Sequence, residues 1–432
     1  STLTGAGVIF YPSGSIGYKI TDLIGSDAVD FAKIRASYRE VGIGANPYAT
    51  STVFGPGGVF SSWGDGLGGY LYGNPFTQSA SRGNPDLKEE RKKEYEFGLD
   101  LRLFDNAITL NATYYQSETR DGIIALPIPG SSGFTTTLQN AAVISNEGVE
   151  FDITGRILRT QDFGISVNAN FTQNRNIVED LQGSAYSILN GFTSTSSGIA
   201  EGYPFGVLRS GVYERDNGGN YVLNANGFPN AAAEKEVGVG DPNANFRAGF
   251  GLNIYYKNLS LTSVIETSQG NDVWNGTYGV LHYFGIHENT AVKTVNDTGG
   301  TIVNSFGTEI PAGATFRGYI EDFGGGPVAV DSEWWTTNGG GFGDVGEPFI
   351  MDGSWVKLRE VTLSYSFDKS LLESIKVNSL VLSVSGRNLF TWTDIEGFDP
   401  ENNLTGASRG RGLEYFSNPG TRSFLTTLRI GF

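Results

Sequence analysis

The chain has 432 residues and a formal net charge of −16, from 30 basic and 46 acidic side chains. That balance argues against nucleic acid as a partner, because phosphate binding is driven by concentrated Lys and Arg. There is no Cys, which closes the disulfide and thiolate-metal readings, while 61 Gly, 28 Phe, 20 Tyr and 6 Trp favour strands and tight turns over helices.

No apolar run approaches the roughly 18 residues of a membrane-spanning helix. The opening "STLTGAGVIFYPSGS" has no basic stretch followed by an apolar one, so no signal peptide is read there.

Along the chain, apolar and polar residues alternate with period two in eleven segments, near 6–22, 31–42, 91–104, 106–120, 147–157, 163–175, 245–256, 258–269, 355–367, 379–393 and 421–432. The third sets Tyr95, Phe97, Leu99, Leu101 and Leu103 against Glu94, Glu96, Gly98, Asp100 and Arg102. Asp105 and Asn106 then form a turn, and Ile108, Leu110, Ala112 and Tyr114 resume the apolar parity. The fifth opposes Val149, Phe151 and Ile153 to Glu150, Asp152 and Thr154. In the ninth, Val356 and Leu358 change parity to Val361, Leu363 and Tyr365, which predicts a bulge near Arg359–Glu360. The last puts Phe424, Leu428, Ile430 and Phe432 on one parity.

The gaps between segments alternate short and long without exception: about eight residues, then nearly fifty, then about two, 26, five, 69, one, 85, 11 and 27, the sidedness of an outer-membrane barrel. In an up-and-down antiparallel sheet this gathers short turns at the periplasmic end and long loops at the extracellular end. A soluble sandwich or propeller also alternates, but rarely sorts its loops so strictly. In hydrocarbon every backbone amide must be paired, so a closed barrel is the β solution. Phe104, Phe163, Tyr256, Phe367 and Phe432 all fall at the short-turn end, where an interfacial aromatic girdle belongs. Eleven strands ending downward also start downward, so the chain is expected to be part of a larger barrel whose other strands lie upstream or in another polypeptide.

Several blocks carry a family resemblance: "GNPDLKEERKKEYEFGLDLRLFDNAITLNATYY", "NEGVEFDITGRI", "GYPFG", "GDPNANFRAGFGLNIYYKNLSLT", "FIMDGSWVKLREVTLSYSF" and "LVLSVSGRNLFTWTDIEGFDPENN". Together they resemble the C-terminal half of SusC-like TonB-dependent transporters of Bacteroidota. Glu89–Glu90 departs from the Trp-Glu pair that often follows "NPDLK" in that family. The resemblance implies an all-β, 22-stranded transmembrane barrel with an N-terminal plug, of which residues 1–432 are the last eleven strands. It also implies import of oligosaccharides or oligopeptides, a SusD-like surface lipoprotein as lid, and TonB engaged through the upstream region. A barrel that scaffolds a surface complex without transport is the alternative. The terminal Phe432 resembles the aromatic signal read by barrel-assembly machinery.

Loop aromatics Trp63, Trp274, Trp334, Trp335, Tyr415 and Phe416 are candidates for contact with cargo or lid, against a structural role in loop packing. Arg35, Arg39, Glu94, Glu96, Asp100, Glu150, Asp152 and Arg387 fall on the polar parity and are expected to face the lumen or the plug. No catalytic centre is read: the Ser residues have no His partner at a credible position, so no enzyme is expected. His282 and His287 have no metal-like spacing and read as surface polar residues. Asp394, Glu396, Asp399 and Glu401 could hold Ca²⁺ through oxygen ligands, though a solvated acidic loop looks the same; no other cofactor is expected. The Gly-rich runs 64–69 and 339–346 lack the phosphate-loop Lys-Ser/Thr.

Overall fold

The computed structural model describes residues 10–57, 73, 75–192, 194–337, 343–373, 377–404, 406 and 411–432. Its frame is eleven antiparallel strands in chain order: β1 (Ser13–Lys19), β2 (Val29–Ile43), β3 (Glu90–Leu103), β4 (Ile108–Pro127), β5 (Thr136–Arg159), β6 (Phe163–Asp180), β7 (Phe246–Tyr256), β8 (Leu259–Gln269), β9 (Trp355–Ser366), β10 (Ser379–Thr393) and β11 (Ser423–Gly431). The sheet path begins at β1 and ends at β11, with each strand paired only to its sequence neighbours along that path. All eleven alternating segments are therefore strands of one sheet.

Register carries a single polar face across the whole sheet. Arg39 pairs with Glu94, Glu94 with Ser117, Thr113 with Glu150, Glu150 with Thr172, and Thr172 with Arg247. The line continues through Ser268 to Trp355, and four residues further along β8 the same face runs through Glu360, opposite Val264, to Arg387. The opposite face is apolar and open. Phe97 is 56% exposed, Phe151 42%, Val384 49% and Leu428 56%. A sheet that turns Phe and Leu outward while ionic side chains face inward is inverted relative to a water-soluble fold. It matches a barrel whose outside meets lipid.

The predicted bulge is present. Opposite β8 the register skips between Leu358 and Glu360, leaving Arg359 as the extra residue. The consequence is local and useful: two successive charged residues, Arg359 and Glu360, both reach the polar face.

The largest differences from the sequence reading fall at the first strand and at the fourth connection. The first strand is confined to Ser13–Lys19, with a helical turn at Thr21–Ile24 after it; residues 6–9 of the expected segment lie outside the described residues. The fourth connection, expected as a long loop, is mostly strand. β4 runs 20 residues and β5 runs 24, leaving only 128–135 between them. Beyond the membrane this hairpin buries Ile124, Leu126, Ala141 and Ala142 against Val178, Leu181 and Ile199. Protein then covers it, "IIAL" (123–126) loses the alternation, and the period-two signal fades although the strand continues. A left-handed Asp121 and a register shift at 119–122 mark the transition.

Connections 20–28, 104–107, 160–162, 257–258 and 367–378 lie at one end of the sheet, and 44–89, 128–135, 181–245, 270–354 and 394–422 at the other. The aromatic residues of the short end sit where expected. Phe163 pairs with Tyr256, and Phe104, Tyr256 and Phe432 are exposed.

Candidate functional site: the lumen wall and its loop cap

The polar face is a charge lattice. Arg35 donates to Glu96 (2.5 Å), to Asp100 (3.4 Å) and to Thr113 Oγ1 (2.6 Å); Arg39 pairs with Glu94, which Lys92 also reaches at 2.7 Å. A Cβ on Gly98 would collide with the Arg35 guanidinium, so the glycine is the floor on which that side chain rests. Gly148 does the same for Tyr115. Arg35, Arg39, Glu94, Glu96, Glu150 and Asp152 line one recess of about 690 Å³. Arg387 donates to Glu360 at 2.8 Å further round the wall. All eight residues expected on the inner face thus lie on one face of the sheet.

Above this wall the long loops 181–245, 270–354 and 394–422 share a hydrophobic core. Tyr213 and Phe228 from the first, Trp274, Val330, Trp334, Trp335 and Phe349 from the second, and Leu413 from the third are all buried in it. A three-stranded ribbon ties the last two loops: Asp272–Asn275 pairs antiparallel with Ile350–Asp352 and parallel with Leu413–Glu414. Glu414, fully buried, accepts from Thr277 Oγ1 (2.9 Å) and from the Ser417 amide (2.9 Å). Arg215 pairs with Glu347, whose second oxygen accepts from the Tyr213 amide (3.0 Å), joining the first loop to the second.

This packing revises the expectation for the loop aromatics. Trp274, Trp334 and Trp335 are 0%, 2% and 7% exposed, so their faces are occupied by loop packing and offer no surface to cargo or lid. Tyr415 stacks on Trp274, and Phe416 beside it is 57% exposed. Trp63 lies outside the described residues, as do 64–69 and 339–342. His282 is likewise not a surface residue. It is 1% exposed, its ring 4.3 Å from His287 and 4.6 Å from Trp335, with Nδ1 bonded to the Tyr278 carbonyl. Burial pushes its pKa down to about 4; the Tyr278 bond opposes the shift and the His287 charge adds to it.

The acidic run after β10 has a defined use. Lys357, 2% exposed on the lumen face of β9, donates to Asp399 (2.5 Å) and Glu401 (2.6 Å). Arg359, at the bulge, holds Glu401 with two nitrogens and Glu266 at 2.6 Å. Both cations lie over the Trp355 ring, at 5.3 and 5.0 Å. Burial acts to raise the Glu401 carboxyl, but the bonds from Arg359 and Lys357 outweigh it and hold its pKa below the usual value. Loop 394–422 is thereby fastened to the wall. Asp399 and Glu401 serve two protein cations, and among the described residues no group of three or more His, Asp or Glu is arranged to hold a metal ion.

A second anchor explains the "GNPDLK" block. Asn84 Nδ2 donates to the Leu138 carbonyl, Leu87 is 1% exposed, and Asn140 exchanges hydrogen bonds with the Lys88 backbone while reaching the Asp121 carbonyl. Ser81–Arg82 adds a short parallel strand to β5 at Thr136–Thr137. The motif pins loop 44–89 to the projecting hairpin. No periodicity signals such tertiary roles, and only the quoted block hinted that these residues act together.

Among known proteins, the family model described as "TonB dependent receptor-like, beta-barrel" matches residues 2–264. TonB-dependent receptor P3 of Formosa agariphila is 28% identical over 98% of this chain and 42% of its own length. TonB-dependent receptor SusC of Bacteroides thetaiotaomicron is 23% identical over 77% of this chain and 32% of its own length. The solved RagAB peptide transporter superposes with a TM-score of 0.67 at 20% identity, covering 98% of this chain and 43% of that one, and so shares its fold. The chain spans less than half the length of these relatives. A match over more than half its residues, on a sheet with the inverted faces of a barrel, makes the chain a member of the TonB-dependent receptor β-barrel family, a SusC-like one of the outer membrane.

Proposed function

We propose that the protein containing this chain imports large nutrients, oligosaccharides or oligopeptides, across the outer membrane together with a SusD-like surface lipoprotein, energised through TonB. The observation that carries the reading is the fastened cap. Three long loops form one folded body over the lumen and are bound to its wall through Lys357 and Arg359. Such a body gives a lid protein a firm seat and gives cargo a shaped entrance. SusC itself and the solved RagAB transporter, to which the chain is similar, support the same reading.

The inner-face residues Arg35, Arg39, Glu94, Glu96, Asp100, Glu150, Asp152 and Arg387 face a plug within a closed barrel whose other strands pair with β1 and β11. Of the candidate aromatics among the described residues, exposed Phe416 and half-buried Tyr415 are the ones open to cargo or lid. The role is transport, not catalysis, and needs no cofactor.

The test is uptake of labelled oligomers by cells carrying the full-length protein. Import that stops on dissipation of the proton gradient or loss of TonB, with a lipoprotein co-purifying, is the expected result. A barrel that assembles with its lipoprotein yet imports nothing would favour the scaffold instead.

A further inference from the structure

A cleft of about 510 Å³ separates the lumen wall from loop 394–422. Wall residues Asn170, Thr172, Arg247, Glu266 and Trp355 form one side, and Glu401, Asn402 and Arg411 the other. Its charges are unevenly matched. Three guanidinium groups line it, Arg247, Arg359 and Arg411, against two carboxylates, Glu266 and Glu401. Arg359 binds both of those carboxylates, and Glu401 is shared with Lys357 as well. Arg247 and Arg411 are exposed, and among the described residues neither has a carboxylate within 4 Å.

The acids of the cleft are thus engaged in holding the loop, while two arginines remain open on opposite walls. In a chain of net charge −16, a pocket with surplus cations is a local exception. Guanidinium groups bind oxyanions by paired, charge-assisted hydrogen bonds, and a partly enclosed cleft weakens solvent screening of them. The amide and hydroxyl groups of Asn170, Thr172 and Asn402 supply further neutral hydrogen-bonding positions on the same walls.

The geometry points to an oxyanion-binding subsite, with Arg247 and Arg411 gripping a carboxylate or sulfate group carried by the cargo. This rests on the importer reading and deepens it: cargo bearing negative charge is selected over its neutral counterpart. Arg359 is the positioning residue, since it holds loop 394–422 where Arg411 faces the cleft.

Binding to purified full-length protein in detergent tests this without requiring uptake. The probes are fluorophore-labelled hexaglutamate against hexaglutamine, and a sulfated oligosaccharide against its unsulfated match. At least one anionic probe should bind tighter than its neutral partner, by about tenfold or more for each engaged arginine, with a preference that falls as salt rises. Arg247→Ala with Arg411→Ala should abolish the preference and leave neutral probes unchanged. The paired Lys substitutions should retain part of it, which separates lost charge from a misfolded cap. The arm that responds identifies carboxylate or sulfate as the group bound. Equal binding of every anionic and neutral pair overturns the proposal, as does a preference that survives the double Ala substitution, or a parallel fall for both probe types. Failure of energised uptake with this preference intact overturns only the importer reading.

Discussion

At the residue scale, the fold concentrates its ionic contacts where a loop meets the wall. Lys357 has almost no solvent and depends on Asp399 and Glu401 for its charge to be tolerated. Replacing both acids together, Asp399→Asn with Glu401→Gln, leaves that ammonium buried and unpaired and should cost about 3–5 kcal/mol locally. The expected readout is rapid proteolysis of 394–412 with the sheet intact. The same contact sets a pH response. A carboxyl held below its ordinary value of 4.5 stabilises docking above that pH, and the contribution disappears as pH falls through the lowered folded value. Protection of the loop should therefore persist at pH 5 and fail only below 4.5. Loss of protection on going from pH 7 to 5 would contradict the assignment. The sequence showed the parity change at Arg359–Glu360, and hence the bulge. It did not show the partner of Arg359, because Glu401 is 42 positions away in a loop without periodicity.

At the element scale, strands and loops obey different rules, and only one set is written locally. Each strand that faces lipid repeats every second residue, so β3, β7 and β10 were legible within a residue or two. The upper part of β4 and β5 was not, since protein packs on it and the alternation has no reason to continue. The same difficulty hid the cap. Trp274, Trp334 and Trp335 look alike in sequence whether they await a ligand or fill a core; their burial decides the matter. Trp335→Ala should cost about 3–5 kcal/mol within the cap. Hydrogen exchange would then quicken across 270–354 while β7 to β10 keep their protection. Uniform quickening of both regions would show that cap and barrel are one cooperative unit.

At the scale of the whole molecule, the two faces of the sheet should respond oppositely to charge. Val384, 49% exposed on the apolar face of β10, lies five residues in from the short-turn end of its strand. Val384→Arg should destabilise the folded barrel in vesicles by about 2–4 kcal/mol, the cost of a lipid-facing charge near the midplane. Ser383→Arg, one position away on the polar face, should cost far less. Denaturant titration of the reconstituted full-length protein measures both, and equal costs would contradict the assignment of faces.

The chain itself holds no Cys, so with any cysteine elsewhere in the full-length protein replaced by Ser an introduced one is the sole labelling site. Single cysteines placed one at a time from 380 to 385 in the reconstituted full-length protein can carry spin labels, read with oxygen as the lipid-soluble relaxer and a nickel chelate as the aqueous one. The account predicts strict alternation, with 380, 382 and 384 open to oxygen and 381, 383 and 385 shielded from it. Labels at 382 and 384 that respond to the nickel chelate, or an oxygen response without period two, would contradict the claim that lipid covers the apolar face of this sheet.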